Sequence, residues 1–158
     1  MAETLGSLMD KLTIKDLREF HLSEMLAAKK KKFTGSEIRL KLTALKKQKK
    51  LLLNEIDNFV REAISRPVQL RDEKLKLYNP REQIGRIPNL TSLAEVVSCL
   101  ARKNSELWHL EDEARRTDVS LAFIGSIKKK IDRANQERND YIDKIDELFE
   151  RLVRAKRR

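Results

Sequence analysis

The side chains best suited to chemistry crowd between Ser105 and Arg116, where Glu106, Trp108, His109, Glu111, Asp112 and Arg115 follow in quick succession. Glu106 and His109 have the Glu-x-x-His spacing that puts a carboxylate and an imidazole on one helix face, as di-metal helical bundles do. Such a centre requires a second copy of the motif and two further inward glutamates. The other histidine, His21, lies 88 residues earlier, and at that offset the partner of Glu106 is Arg18, a cation. The second motif is missing, so no metal is expected. His109 with Glu113 is an equally weak ligand pair. A helix-face histidine bonded to an acidic or backbone partner is the better reading. No Gly-rich phosphate loop, Ser/His/Asp set or zinc-ligand spacing is present. No catalytic residue and no cofactor is therefore assigned.

A second polar group sits further on. Asn135, Arg138 and Asn139 share a helix face, and Arg138 falls on the apolar seam of its helix. An arginine there requires a carboxylate or an anionic ligand, because unpaired burial of charge is very costly. Counting outward from a turn near residue 118 sets Arg138 opposite Cys99 and His109 opposite Ile127, about 15 Å apart along the bundle. Trp108, His109, Glu106, Glu111, Asp112, Arg115, Asn135, Arg138 and Asn139 are thus candidates for a ligand site or a polar network, and Glu111, Asp112, Asn135, Arg138 and Asn139 are expected to form a connected one. Trp108 and Phe20 suit either stacking or the core, with the core favoured.

The charge is +10 at pH 7, which allows a nucleic-acid, anionic-lipid or acidic-protein partner. Lys29, Lys30, Lys31 and Lys32, with Lys46, Lys47, Lys49 and Lys50, are the candidate polyanion contacts. The excess is spread, however: residues 1–65 carry 14 basic and 9 acidic side chains, and residues 92–158 carry 15 and 13. Without interleaved aromatics the runs read first as solvated helix faces.

The elements that must position these groups are helices. Apolar residues at three- and four-residue steps predict a helix from Ala2 to about Lys32 and another from about Ser36 to Ser65, the second opened by a Thr34/Glu37 capping box. Pro67, Pro80 and Pro88 then interrupt the chain over residues 66–91, a crossover in which Lys74–Tyr78 alternates like a strand. Ser92 and Glu95 open a third helix running to about Arg116, and the fourth reaches about Lys156. At the 88-residue offset, Leu5, Leu8 and Leu12 fall on Leu93, Val96 and Leu100. One residue later, Leu42, Leu45, Leu52, Leu53, Ile56 and Asp57 fall on Ile131, Ala134, Tyr141, Ile142, Ile145 and Asp146. The expected fold is an all-α antiparallel bundle of two long helical hairpins, four-helix-bundle-like with a pseudo-two-fold repeat. It forms a single domain, residues 1–65 being hairpin one, 66–91 the crossover and 92–158 hairpin two. Phe20-His21 and Trp108-His109 would occupy matching positions, and the lysines of hairpin one would face water.

Leu107-Trp108-His109-Leu110-Glu111-Asp112-Glu113-Ala114-Arg115, followed by Ile131-Asp132-Arg133-Ala134-Asn135-Gln136-Glu137-Arg138-Asn139-Asp140 and Ile145-Asp146, resembles a bacterial domain-of-unknown-function family, number 4254. Gly6-Ser7-Leu8-Met9-Asp10-Lys11-Leu12-Thr13-Ile14 is similar to the opening of that family. The likeness is close over residues 92–150 and looser over 4–60. It implies a helical bacterial protein without an assigned activity, from a family often found among cell-envelope polysaccharide genes.

The expected function is a non-catalytic helical interaction, adaptor or self-assembling protein, with a protein partner or a second copy of itself, its near-heptad spacing resembling that of coiled coils. The alternative is a basic helical module binding nucleic acid or another polyanion. A weaker alternative, implied by the resemblance, is an enzyme of cell-envelope polysaccharide metabolism. A single cysteine fits a reducing compartment, and no apolar run approaches the roughly 18 residues of a membrane span, so a cytoplasmic protein is expected.

Overall fold

The computed structural model describes residues 3–28, 33–71 and 87–157. These contain four helices: α1 (Leu5–Ala27), α2 (Gly35–Ser65), α3 (Leu93–Ala114) and α4 (Leu121–Lys156). Each starts where a hydroxyl satisfies an otherwise orphaned amide. Thr4 accepts from Ser7, Thr34 from Glu37, Ser92 from Glu95 and Ser120 from Phe123. The Thr34/Glu37 capping box is complete, and hydrogen bonds from the Thr34 backbone and hydroxyl hold the Glu37 carboxyl below its ordinary range. α1 begins at Leu5, after the Thr4 cap, and Ala2 lies outside the described residues. Lys29–Lys32 and the alternating Lys74–Tyr78 lie outside the described residues. Arg154 and Lys156 occupy the last turn of α4, the favourable sign for its exposed carbonyls.

The architecture is an all-α bundle. α1 packs against α2, α3 against α4, and α1 also touches both α3 and α4. α2 reaches α4 near its C-terminal end, where the Phe59 and Phe149 rings lie 6.1 Å apart and Arg157 donates to the carbonyls of Ala63 and Arg66. Among the described residues α2 and α3 do not approach each other. α1 is therefore the wedge that joins the two hairpins.

Two apolar clusters result. In the larger, Leu5 and Leu8 meet Leu52, Ile56, Val96, Leu100, Ile145, Phe149 and Val153, so all four helices contribute. The smaller holds only Leu107, Ile127, Ile131 and Ala134, from α3 and α4. The hairpins merge at the end where α1 begins and fork towards their tips.

The merged end depends on close backbone approach. A Cβ on Gly6 would fall inside van der Waals contact of the Ile142 carbonyl oxygen and 3.0 Å from Asp146 Oδ1. The Gly6 amide donates to that same Oδ1 at 2.7 Å, giving a first-turn N–H the partner its helix cannot supply. Asp146 is buried, whereas Asp57, its counterpart at the sequence offset, is exposed. Phe20 is likewise 58% exposed, while Trp108 is half-buried. Matching positions in the two halves thus differ in burial; for Asp57 and Asp146 the reason is that α4 packs against α1 as well as α3, whereas α2 has no such second neighbour over most of its length.

Candidate functional site

Below the fork, the facing sides of α1, α3 and α4 enclose a cleft of about 310 Å³. Its floor rests on Asp10, whose side chain is only 8% exposed. Arg138 of α4 embraces that carboxylate with two N–H groups, Nε lying 2.8 Å from Oδ1 and Nη2 bonding Oδ2. The Asn104 amide of α3 donates to Asp10 Oδ1 at 2.9 Å and to Thr13 Oγ1 at 2.8 Å. Thr13 in turn donates to the Asp10 carbonyl. Three helices are thereby tied through one carboxylate. The hydrogen bonds that Arg138 donates to Asp10 raise the Arg138 pKa further, against the opposing effect of burial. The charge that the apolar seam of α4 demanded is thus neutralised from α1, 128 residues away.

Ile14 and Leu17 of α1 and Leu107 and Trp108 of α3 form the apolar walls, with Arg18, Glu111, Arg115 and Asn135 completing the lining. The Trp108 ring is backed by His21, stacked at 4.7 Å between centroids and 13° between planes. His109 meets the same imidazole edge-on at 5.9 Å. These ring contacts bridge the fork. His21 Nδ1 lies 3.0 Å from Glu24 Oε2, and its Nε2 is buried without a hydrogen-bond partner among the described residues.

The structure separates the candidate residues. Trp108, Glu111, Arg115, Asn135 and Arg138 line one cleft. Glu106 faces Lys103, Asp112 faces Arg115, and both acids are exposed. His109 and Asn139 are exposed, and neither side chain makes a hydrogen bond among the described residues. The expected single polar network is therefore corrected: Arg138 belongs to a buried group centred on α1, and Glu111, Asp112 and Arg115 form surface pairs 3–4 residues apart. The histidine bonded to an acid is His21, not His109. The Arg138 register is corrected as well. Arg138 faces Asn104, and the neighbouring Lys103 and Glu137 pair at 2.6 Å, a register that pivots near Ser120 rather than residue 118. Among the lysines of hairpin one, Lys46, Lys47 and Lys50 are exposed. Lys49 is instead held between Asp16 at 2.6 Å and Glu19 at 3.0 Å, and these bonds raise its pKa. An ammonium on an otherwise apolar position tolerates its half-burial because α1 supplies two carboxylates.

Asp10, Thr13, Arg18 and Asn104 were not among the sequence candidates for the site. Asp10 and Thr13 had a usable signal, being polar residues at four- and three-residue steps between Gly6 and Leu17, on a different stripe of α1 from Leu5, Leu8 and Leu12. Chemically, the cleft offers guanidinium and amide donors over apolar walls, with Glu111 as its lining carboxylate and no histidine. Among the described residues no group of three or more His, Cys, Asp or Glu side chains could hold a metal ion, and no helix is long and apolar enough to cross a membrane.

Beside the cleft, Glu137 accepts from Lys103 and Arg133. Burial by itself raises the Glu137 pKa, and these bonds outweigh it, so the carboxyl ends below the ordinary glutamate value. A lowered folded pKa contributes stability above the unfolded value, near pH 4.3, that is lost as pH falls through the folded one. Glu137→Gln is expected to cost about 1 kcal/mol or less at pH 7. Urea titrations at descending pH should show the gap to wild type closing below about pH 4. A gap that stays constant to pH 3 would show that the carboxylate charge is irrelevant there.

No curated protein and no solved structure matches the chain. Residues 94–158, which span α3, α4 and the turn between them, match the family model described as protein of unknown function (DUF4254).

Proposed function

We infer that the protein is a non-catalytic helical binding module whose recognition surface is the cleft between its hairpins. The supporting observation is the lining itself: apolar walls from two hairpins beneath a rim of arginines, with both histidines and the Glu106 carboxylate outside it. Small-molecule sites of this kind are concave, mostly apolar and provided with a few converging polar groups. General acid–base work requires a titratable pair within reach of one substrate atom. The lining carboxylate, Glu111, instead faces Arg115 at 3.8 Å.

Trp108 is the chain's single tryptophan, so its fluorescence reports on this cleft alone. Titration with small organic acids, phosphate esters and sugars should give a saturable change for at least one class, with the compound recovered intact by NMR. Turnover of the bound compound would overturn the non-catalytic reading. Silence across every class would remove the cleft as a recognition surface.

The net charge of +10 and the exposed Lys46, Lys47 and Lys50 favour a second reading, a module that binds a polyanion along α2. Affinity for a duplex oligonucleotide that falls steeply as salt rises from 50 to 200 mM would support it. No binding at 50 mM salt would leave the lysines as solvated surface.

A further inference from the structure

We propose that the cleft is a site for a small molecule bearing a phosphate or carboxylate group on a compact apolar body, with Arg18 and Arg115 as the two arms that hold the anion. This rests on the cleft being the recognition surface and specifies what it recognises.

Three guanidinium groups line the cleft, and they are not equivalent. Arg138 is committed to Asp10 through a two-bond embrace and serves the floor. Arg18 is exposed and, among the described residues, has no ion pair or hydrogen-bond partner. Arg115 touches Glu111 at 3.8 Å and Asp112 at 3.2 Å, but its side chain is 71% exposed. Exposed pairs of that kind contribute little, so exchanging them for a ligand costs little. Arg18 comes from α1 and Arg115 from the end of α3, so an anion between them is gripped by both hairpins. Guanidinium groups suit this task because their fixed fork of donors matches carboxylate and phosphate oxygens. Asn135 adds an amide from α4. Below the charged rim, Ile14, Leu17, Leu107 and the Trp108 ring leave an apolar compartment, and 310 Å³ is the size of a small-molecule pocket. Trp108 is preorganised for contact because His21 backs its ring.

Phenyl phosphate and benzoate carry the same ring with different anionic oxygens, and benzyl alcohol is their neutral counterpart. Trp108 fluorescence and isothermal titration calorimetry of the full chain should show saturable 1:1 binding of one or both anions, at least tenfold tighter than benzyl alcohol. Whichever anion binds more tightly identifies the class, phosphate or carboxylate. Arg18→Gln and Arg115→Gln should each weaken that binding about tenfold, the value of a charge-assisted hydrogen bond. Lys128→Gln, exposed on α4 away from the cleft, should bind as wild type does. Because both arginines are surface side chains, their variants should fold, which the circular dichroism spectrum verifies. Benzyl alcohol binding as well as the anions would overturn the anion site while leaving the binding module intact. Loss of affinity in Lys128→Gln equal to that in the arginine variants would overturn it in favour of diffuse surface charge. Absence of binding by all three compounds would overturn the proposal, and the module reading would then depend on the wider titration of Trp108 described above.

Discussion

Asp10→Ala is expected to lower the unfolding free energy by about 3 kcal/mol, the low end of the cost of removing one partner from a buried ion pair. The low end applies because the Arg138 side chain is 27% exposed and can recover part of its hydration. Removing the carboxylate leaves Arg138 unpaired on an apolar seam and deprives the Asn104 amide of one of its two acceptors. For a chain of this size that amounts to a fall in melting temperature of roughly 10 °C. The loss should be specific to the missing charge. Replacing the pair together, Asp10→Leu with Arg138→Met, should recover most of the stability, since well-packed apolar residues often substitute for buried ion pairs at no net cost. If the double variant is no more stable than Asp10→Ala, the network matters for its shape rather than its charge.

Gly6→Ala is the second large effect, and its sign is the interesting part. Within an ordinary helix the change from glycine to alanine stabilises by about 1 kcal/mol. Here the added methyl group meets the Ile142 carbonyl, a backbone atom that cannot swing away as a side chain would, as well as Asp146 Oδ1. α1 must move off α4, weakening the Gly6–Asp146 hydrogen bond and loosening Leu5 and Leu8, each only 1% exposed. Overpacking of this kind typically costs 1–3 kcal/mol, so a net loss of about 2 kcal/mol is expected in denaturant titration. A variant as stable as wild type would mean that the two helices have room to part.

The helices and their caps could be read locally, and the reasons are local. Thr34 with Glu37, and Ser92 with Glu95, satisfy amides three residues away, so the information lies in adjacent sequence. The need for a counter-charge at Arg138 was legible for the same reason: an arginine on an apolar stripe stands out. Its partner was not, because Asp10 lies on another helix and only packing decides which carboxylate arrives. The 88-residue repeat supplied good helix positions but poor expectations of burial. Leu53 and Ile142 match in sequence, yet Leu53 is 43% exposed and Ile142 9%. A repeat records helix periodicity, whereas burial depends on how many neighbours each helix acquires. The same limit applies to the cleft. Arg18 was visible in the sequence as the residue that spoils a metal motif, and it is the spatial approach of α1 to α3 that gives it a place in the lining.

The separation into two apolar clusters sets how the molecule comes apart. Ile127, Ile131 and Ala134 close on Leu107 without help from α1 or α2, so the outer part of hairpin two can fray while the four-helix cluster around Leu100 and Ile145 stays closed. Cooperative units of that kind open at lower free energy than the whole fold. The cleft lies at the border between the two units. Anything lodged there must share the fate of both, and its binding energy would be spent partly on making two separately melting parts melt as one.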